Sequence, residues 1–306
     1  MMDHPEISRR RLMALAGLGA ASLLPRRVFG QAVSQEPVLR TIPGSGERLP
    51  AVGLGTASVF DVGEDAARRA TLGRVVKALV DDGGRVIDTA STYGSAESVL
   101  GGLLSPAGLR ARIFLATKLE SPDRDELARS LSRLRTRKLD LLQLHNVRDA
   151  DQSLARFRDW KAQGVCRYVG ITSTYHSDFP ALEAVLQREK PDFVQFDYSL
   201  DNREAEKRLL PLAAQTQAAV LIALPFGRGR LFRAVRGKAL PDWAKEFDAR
   251  SWAQFFLKFL LGDPRVTCVI PGTADPAHME DNLGAGHGRL PDAALRARMV
   301  QLMERL

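Results

Sequence analysis

The stretch that decides the fold is RVIDTASTYGSAES, residues 85–98. An apolar strand pattern ends at Asp88, and Tyr93 follows five residues later in a loop before a helical pattern. Two later strand patterns end in the same way, the next one at Lys118 and the one after it at His145. Titratable residues at the carboxyl ends of successive parallel strands are typical of a barrel whose active site lies at one rim. We therefore predict one catalytic site that contains all four residues.

The rest of the chain predicts an α/β fold, a single (β/α)8 TIM barrel with an N-terminal β-hairpin, over residues 31–306. Eight nearly continuous apolar runs, as expected for parallel strands covered on both faces, lie at residues 53–56, 86–89, 113–118, 139–145, 168–172, 193–198, 220–225 and 268–271. Helical patterns lie between them at residues 65–80, 96–104, 125–134, 152–163, 179–188, 203–216 and 242–261. The hairpin is predicted from strand patterns at 38–41 and 49–52 around a Pro-Gly-Ser-Gly turn.

In these residues the chain resembles the aldo-keto reductase superfamily. The resemblance covers roughly residues 49–285 in the right order, and it includes GLGT at 53–56, PGT at 271–273 and the pair Asp281-Asn282. It implies that the hairpin plugs the floor of the barrel. It also implies an oxidoreductase that reduces a small-molecule aldehyde or ketone with the same four catalytic residues.

The four residues suit the chemistry of carbonyl reduction, in which hydride transfer leaves an alkoxide that must receive a proton. A phenol donates a proton more readily at neutral pH when a neighbouring ammonium lowers its pKa from about 10. We therefore expect Tyr93 to be the general acid, Lys118 to activate it and Asp88 to keep Lys118 charged. His145 is expected to donate a hydrogen bond that orients the carbonyl, or to share the proton.

The expected cofactor is a nicotinamide nucleotide, because the sequence has no haem, flavin or metal motif. The GxGxxG fingerprint of a Rossmann fold is missing, so a Rossmann motif is not expected to hold this nucleotide. Matching to the family places Thr172, Ser173 and Gln195 at the carboxamide. It places the loop Phe226-Gly227-Arg228-Gly229 at the pyrophosphate, where glycines let backbone N–H groups approach phosphate. The other predicted cofactor contacts are Gly55, Thr56, Asp88, Gly272, Thr273, His278, Asp281 and Asn282.

Two departures from the family pattern concern this cofactor. Leu224 stands where the family has an aromatic residue that stacks on the nicotinamide, unless Phe226 takes that place. Gly272, Ala274 and His278 stand at the positions of the Lys or Arg residues that hold the 2′-phosphate, and a neutral imidazole is a poor substitute for a bidentate guanidinium. The resemblance therefore implies NADPH, with NADH possible and only modest discrimination between the two.

The first thirty residues are predicted to be a leader and not part of the barrel. Ser8-Arg9-Arg10-Arg11 precedes an apolar run at 14–24, which is too short to span a bilayer but suits the apolar region of a signal peptide. The segment resembles a twin-arginine export leader, and the alternative is a basic amphipathic tail. We therefore expect export through the Tat machinery to the periplasm without stable membrane insertion, or a cytoplasmic location if the leader is not used.

Composition narrows the classes of function. The formal net charge is +8, but Arg and Lys alternate with Asp and Glu along the helical patterns, so nucleic-acid binding is not predicted. Cys166 and Cys268 begin two separate strand patterns and are expected to be buried thiols without a disulfide. The remaining histidines stand apart from other ligand residues, so no metal site is predicted, and a monomer is expected.

Two other functions fit parts of the pattern. One is a nucleotide-binding barrel that acts as a sensing or interaction subunit with little turnover. The other is an isomerase or aldolase that uses Lys118 as a Schiff-base nucleophile, which requires Lys118 to be free of Asp88. Substrate choice is expected to depend on the loops after the first, fourth and seventh strands, where a partly apolar pocket is indicated by Phe60, Phe232 and Trp243.

Overall fold

The computed structural model describes residues 36–105 and 108–306, which form a hairpin followed by a barrel of eight parallel strands. The predicted leader, residues 1–30, lies outside the described residues. The hairpin consists of β1 (Leu39–Thr41) and β2 (Arg48–Pro50). The barrel strands are β3 (Leu54–Gly55), β4 (Val86–Asp88), β5 (Phe114–Leu119), β6 (Leu139–Leu144), β7 (Cys166–Ser173), β8 (Phe193–Asp197), β9 (Ala219–Ala223) and β10 (Cys268–Val269).

Ten α-helices connect or follow these strands in the described part of the chain. They are α1 (Ala66–Asp81), α2 (Ala96–Leu104), α3 (Arg124–Arg133), α4 (Ala150–Ala162), α5 (Phe179–Glu189), α6 (Leu209–Thr216), α7 (Arg230–Ala234), α8 (Trp252–Leu261), α9 (Pro276–Gly284) and α10 (Ala293–Met303). Side-chain oxygens of Asp or Ser accept from the first-turn N–H groups of α1, α3, α8, α9 and α10, which fixes where these helices begin. Within the residues described, none of the helices is long and apolar enough to cross a membrane.

The barrel closes between its first and last strands. Strands β3 to β10 pair in chain order, each parallel to the next. Parallel bridges join Val52 to Val269 and Gly55 to Gly272 across the remaining seam. A Cβ on Gly55 would lie 2.7 Å from the carbonyl oxygen of Ile270, so this close approach requires glycine. The predicted (β/α)8 barrel is confirmed.

The N-terminal hairpin covers the floor of the barrel, at the amino ends of the strands. Ile42 and Leu49 are buried in one cluster with inward-facing side chains such as Phe193 and Tyr168. The hydroxyl of Tyr168 donates to Oε2 of Glu47 at 2.8 Å, which ties the hairpin turn to β7. The described chain therefore has the hairpin plug that the family resemblance implied.

The helices at the C-terminal side of the barrel differ from the sequence prediction. The predicted helix over residues 203–216 is a short 3-10 turn followed by α6, because Pro211 lacks an N–H and fits only the first turn of a helix. Helices α9 and α10 were not predicted. Only Met299 is fully buried on α10, so its apolar periodicity is weak in the sequence.

The predicted helix over residues 242–261 is also divided. Residues Asp242–Phe247 form a 3-10 helix that ends at Asp248, which has a left-handed φ of 57°. Ser251 then caps α8 by accepting a hydrogen bond from the backbone N–H of Gln254 at 3.0 Å. The apolar pattern continues through this corner because both pieces pack on the same core, which explains why the sequence predicted one helix.

Lys258 is a fully buried cation on α8. Its Nζ donates to the carbonyl oxygens of His287 at 2.5 Å and Arg289 at 2.9 Å. Burial lowers the pKa of Lys258 from 10.5 to about 8; Asp248 opposes this shift, while Arg289 and Arg250 add to it. Between these two values the unfolded chain binds a proton that the folded chain does not. The stability contributed by this lowered pKa is therefore fully present above pH 10.5 and is lost as the pH falls through about 8.

We predict that Lys258→Met removes this pH dependence. From about pH 7.5 to about pH 10, the free energy of unfolding of the wild type should rise by about 2 kcal/mol relative to that of the variant. Chemical denaturation of both proteins at the two pH values measures the difference. Lys245→Met, at a cation whose side chain is 83% exposed, serves as the control and should follow the wild type. Equal pH dependence in the wild type and the Lys258 variant would contradict the assignment.

Candidate active site

A cleft of about 1000 Å³ opens at the carboxyl ends of the barrel strands. Strand ends and the loops after β3, β6, β7 and β9 form its wall. The four predicted catalytic residues all line it. The cleft also brings together the predicted cofactor residues Gly55, Thr56, Thr172, Ser173, Gln195, Phe226, Arg228, Gly229 and Gly272.

A buried ion pair lies at the bottom of this cleft. Lys118 on β5 is 1% exposed and contacts Oδ2 of Asp88, at the end of β4, through its Nζ. The same Nζ donates to the carbonyl oxygen of Thr89 at 2.8 Å. Gln143 on β6 donates to Oδ1 of Asp88 at 3.1 Å, and Gln195 on β8 approaches Oδ2 at 3.4 Å. Every oxygen of the carboxylate thus has a donor, which makes its burial possible.

The ammonium of Lys118 is stabilised by its surroundings. Burial lowers the pKa of Lys118, but the charge and hydrogen bonds of Asp88 and Tyr93 outweigh burial, so that the pKa lies above its usual 10.5. The Nζ lies 5.1 Å from the centroid of the Tyr93 ring. A charged ammonium therefore faces the phenol, as the sequence predicted. A Schiff-base nucleophile would require Lys118 to be free of Asp88, and the contact between the two residues does not meet that requirement.

The loop that carries Tyr93 is fixed by backbone and side-chain contacts. The N–H of Ser91 donates to the carbonyl oxygen of Lys118 at 3.0 Å, which extends the β4–β5 pairing into the loop. Asp61, in the loop after β3, accepts from both the N–H and the hydroxyl of Ser95 at 2.8 Å. Gly94 adopts a φ of +56°, and a Cβ at this position would collide with the carboxylate of Asp61. The glycine therefore allows the loop after β3 and the loop after β4 to pack against each other.

A second buried carboxylate supports the same loop from below. Glu97, at the start of α2, accepts from the hydroxyl of Thr117 on β5 at 2.7 Å. It also accepts from Nε of Arg133 on α3 at 2.8 Å, and Arg133 donates onward to the carbonyl oxygen of Ser91 at 3.3 Å. One carboxylate therefore connects a barrel strand, two outer helices and the Tyr93 loop.

His145 lies beside the phenol at the end of β6. Its ring meets the Tyr93 ring edge-on, with centroids 5.6 Å apart. Its Nδ1 lies 2.6 Å from Oε1 of Glu120 and 3.2 Å from the hydroxyl oxygen of Thr92. Burial and the ammonium of Lys118 lower the pKa of His145, while Glu120 opposes this shift. The ring is therefore held in a defined orientation by a neighbouring carboxylate.

The residues matched to the carboxamide site fit a nicotinamide only in part. Oε1 of Gln195 is buried without a hydrogen-bond partner within the described residues, so it is available to a carboxamide N–H. Ser173 is already engaged, because its hydroxyl donates to Asp178 at 2.7 Å and accepts from the N–H of Tyr175 at 3.2 Å. Thr172 lines the cleft between them. Between Gln195 and Ser173, only Gln195 thus has a buried oxygen without a hydrogen-bond partner in the described part of the chain.

The loop after β9 has the backbone geometry of a tight turn. Leu224, Gly227, Arg228 and Gly229 all have positive φ, from 52° to 80°. A Cβ on Gly227 would lie 2.5 Å from Asp201, so this turn needs glycine there. Leu224, which stands at the position of the family's stacking aromatic residue, lines the cleft. The aromatic ring after it, Phe226, also reaches the cleft wall and packs on the ring of Phe232 at 4.8 Å.

The remaining predicted cofactor contacts are spread over a wider region. Gly272 lines the cleft, but Gly227, Thr273, His278, Asp281 and Asn282 lie outside its wall. Asp281 accepts from the hydroxyl of Ser251 at 2.7 Å and from Nε2 of Gln254 at 2.8 Å, so α8 occupies both of its oxygens. Among residues 36–105 and 108–306, no three His, Cys, Asp or Glu side chains are grouped as metal ligands.

The aromatic residues expected to line the pocket are placed differently. Phe60 is fully buried in the core beneath its loop, and neither Phe232 nor Trp243 lies in the cleft wall. This prediction was wrong because residue type alone does not show which side of a loop packs on the barrel. The apolar wall is formed instead by Val59, Val147, Leu224, Phe226 and Ile270, with Tyr175 at the rim.

We predict that Gly94→Ala destabilises the protein by about 1–3 kcal/mol, because alanine resists the left-handed backbone and its Cβ collides with Asp61. Gly102→Ala is the matched control, since Gly102 lies in α2 with open space around its Cβ position. Alanine should be neutral or slightly stabilising there. Urea denaturation measures both variants, and equal stability of the two would show that the loop contact has no such constraint.

Comparison with known proteins is consistent with this geometry. Residues 51–298 match the model of the Aldo/keto reductase family. The chain is 31% identical to "Methylglyoxal reductase YeaE" of Escherichia coli (strain K12) over 258 residues, which cover 81% of this chain and 89% of that protein. A crystal structure of an aldo/keto reductase from Klebsiella pneumoniae in complex with NADP and acetate superposes with a TM-score of 0.72 at 27% identity, covering 88% of this chain and 95% of that one.

A second crystal structure of an aldo-keto reductase from Klebsiella pneumoniae, in complex with NADPH, gives the same TM-score of 0.72 at 28% identity, again covering 88% of this chain and 95% of that one. The family match begins just before β3 and ends within α10, so it covers all eight strands of the barrel. The prediction made from the four strand-end residues is thereby confirmed: the chain belongs to the Aldo/keto reductase family and is an oxidoreductase.

Proposed function

We propose that the protein reduces an aldehyde or ketone to an alcohol with NADPH. The observation that carries this proposal is the buried Asp88–Lys118 pair, which places a charged ammonium against the Tyr93 phenol at the bottom of a solvent-accessible cleft. The structural neighbours in complex with NADP or NADPH support this cofactor. The relatives are named as reductases and oxidoreductases, so the alternative of a sensing subunit with little turnover has no support among them.

Tyr93, Lys118 and Asp88 have different roles in the proposed proton transfer. NADPH, when bound, supplies a hydride to the carbonyl carbon. The carbonyl oxygen gains the electron pair of the broken π bond and takes the proton of the Tyr93 hydroxyl. Lys118 stabilises the phenolate that remains, because its ammonium faces the ring, and Asp88 keeps that ammonium charged in a buried position. A proton from solvent then restores the phenol.

The proposed cofactor contacts follow the cleft from the phenol outward. Gln195 offers its unpartnered Oε1 to the carboxamide N–H, with Thr172 beside it. Arg228 would bind the pyrophosphate with its guanidinium. The backbone N–H groups of Gly227 and Gly229 already donate to Leu224 and Phe226 within the turn. The positions of the family's 2′-phosphate cations are Gly272, Ala274 and an exposed His278. We therefore propose weak discrimination between NADPH and NADH, and fluorescence titration with both nucleotides tests it; a preference for NADPH above about a hundredfold would contradict it.

We predict that Tyr93→Phe lowers kcat for carbonyl reduction by about 10²–10⁴-fold, since one general acid is lost. NADPH binding, followed by protein fluorescence, should stay near the wild-type value. Tyr175→Phe is the matched control, because Tyr175 also lines the cleft but is 68% exposed and lies away from Lys118. Turnover of nitrobenzaldehyde, followed by the absorbance of NADPH, measures all three proteins. If the Tyr93 variant retains more than about a tenth of the wild-type kcat, Tyr93 is not the proton donor.

We also propose that residues 1–30 direct twin-arginine export. The support is the sequence alone, with Arg9 and Arg10 directly before Arg11 and the apolar run at 14–24. Expression of the full chain in a bacterial host with an active twin-arginine translocase should give mature protein in the periplasmic fraction. Substitution of Arg9 and Arg10 by Lys should keep the protein in the cytoplasm. Equal distribution of the two proteins between the fractions would contradict the proposal.

A further inference from the structure

Arg148 is a charged residue of the cleft wall that the proton transfer above does not use. It lies in the loop after β6, three residues beyond His145 and two before the start of α4. Its N–H donates to Oδ1 of Asn146 at 2.8 Å, and the side-chain amide of Asn146 donates to the carbonyl oxygen of Glu120 at 3.0 Å. These contacts hold the backbone at Arg148, whose Cα lies within about 11 Å of that of His145.

The charges of the cleft wall leave the guanidinium of Arg148 without a partner. Each carboxylate of the wall is already engaged, by Lys118, by the imidazole of His145 or by the hydroxyl of Ser173. Among the cations, the guanidinium groups of Arg148 and Arg228 have no hydrogen bond or ion pair with the described residues. An unpaired cation in a cleft attracts anionic ligands. The charged side chains that line the cleft in the described chain are Asp88, Lys118, Glu120, Arg148, Asp178 and Arg228.

The two unpaired guanidinium groups lie on different sides of the rim. Arg228 follows β9, and with Gln195 on β8 it belongs to the proposed contacts of the cofactor. Arg148 follows β6, and the neighbouring loop after β4 carries Tyr93, where the carbonyl oxygen would bind. Strands β4 to β6 are consecutive in the sheet, and β8 and β9 lie beyond them. Arg148 therefore lies on the side of the cleft where the substrate would bind.

We propose that Arg148 binds a carboxylate of the substrate, so that the site prefers aldehydes and ketones with a carboxylate a few carbons away from the carbonyl group. The inference rests on the proposed reductase function. A guanidinium can bind a carboxylate through two parallel N–H···O hydrogen bonds. The carbonyl oxygen accepts from Tyr93 at the bottom of the cleft. The carboxylate stays at the rim, where Arg148 is exposed and the anion keeps part of its hydration.

The substrate preference is tested with 4-carboxybenzaldehyde and its methyl ester, two aldehydes that differ in one charge. The ratio of kcat/KM for the acid to kcat/KM for the ester is compared between proteins, which cancels the different reactivities of the two aldehydes. Arg148→Met should lower this ratio by about tenfold, between the effect of an exposed ion pair and that of a buried charge-assisted hydrogen bond. Arg148→Glu should lower it further, because a like charge then faces the carboxylate.

Arg129→Met is the charge-matched control. Arg129 is exposed on α3, has no ion pair with the described residues and does not line the cleft. Its variant should keep the wild-type ratio, and an equal fall in both methionine variants would assign the effect to net charge and overturn the proposal. The wild-type ratio should also fall between about 0.01 M and 1 M salt, because the Debye length shortens from roughly 30 to 3 Å. A ratio that does not vary with salt would contradict a contact at the exposed rim.

A binding measurement without turnover separates this inference from the function on which it rests. The alcohol 4-(hydroxymethyl)benzoate, which is the product expected from the acid, is titrated by calorimetry into the NADPH complexes of the wild type and Arg148→Met. The wild type should bind it about tenfold more tightly. Equal affinities overturn the role of Arg148, even if both aldehydes are reduced.

The remaining outcomes distinguish the two proposals. An unchanged kcat/KM ratio in Arg148→Met, with reduction of both aldehydes, overturns the substrate preference and leaves the reductase function intact. Weaker binding of NADPH itself by Arg148→Met would assign the guanidinium to the cofactor and overturn the preference in the same way. Absence of turnover with every carbonyl overturns the reductase function, and the titration with the alcohol then still decides whether Arg148 binds a carboxylate.

Discussion

The rest of the site depends on the burial of one ammonium against one carboxylate. Lys118 is 1% exposed, and an unpaired cation at such depth would cost several kcal/mol. Asp88 offsets that cost because its own oxygens receive hydrogen bonds from Gln143 and Gln195, on the second and fourth strands beyond it. The pair therefore depends on the curvature of the barrel, because β4 and β8 are not neighbours in the sheet and their side chains meet across its interior. The pair thus provides a charge at the bottom of the cleft that is buried and hydrogen-bonded to Asp88 and Thr89.

The contacts that hold the hairpin lie at the floor of the barrel, and the polar groups of the candidate active site lie at its rim. At the floor, the hairpin is held by buried apolar side chains and by the contacts of Glu47 with Tyr168 and Arg167. At the rim, the polar groups are fixed by loop contacts, in which Asp61 clamps the Tyr93 loop and Glu120 orients His145. A one-residue shift in the register of a strand would move its side chains to the other face of the sheet. The positions of the strand ends thus decide which groups meet.

The sequence predicted the elements whose signals are local. Each end of a barrel strand was predicted within two residues, because its apolar run is short and bounded, and the four predicted site residues lie at or just after those boundaries. Gln143 was missed because it lies inside an apolar strand, where alternation hides a single inward polar residue. Glu120 was missed because its partner, His145, is distant in sequence and meets it only when adjacent strands pair. The division of the last predicted helix depends on the backbone at Asp248, which apolar periodicity does not show.

The most direct measurement of the central claim is a double-mutant cycle on kcat/KM with Asp88→Asn, Lys118→Met and the combined variant. If the buried pair acts as one unit, each single change removes the charge that faces Tyr93, and the double variant should be about as slow as the slower single variant. Circular dichroism and NADPH titration of all three confirm that the barrel and the cofactor site persist. Losses that multiply, so that the double variant is slower by the product of the two single effects, would show that Asp88 and Lys118 act independently.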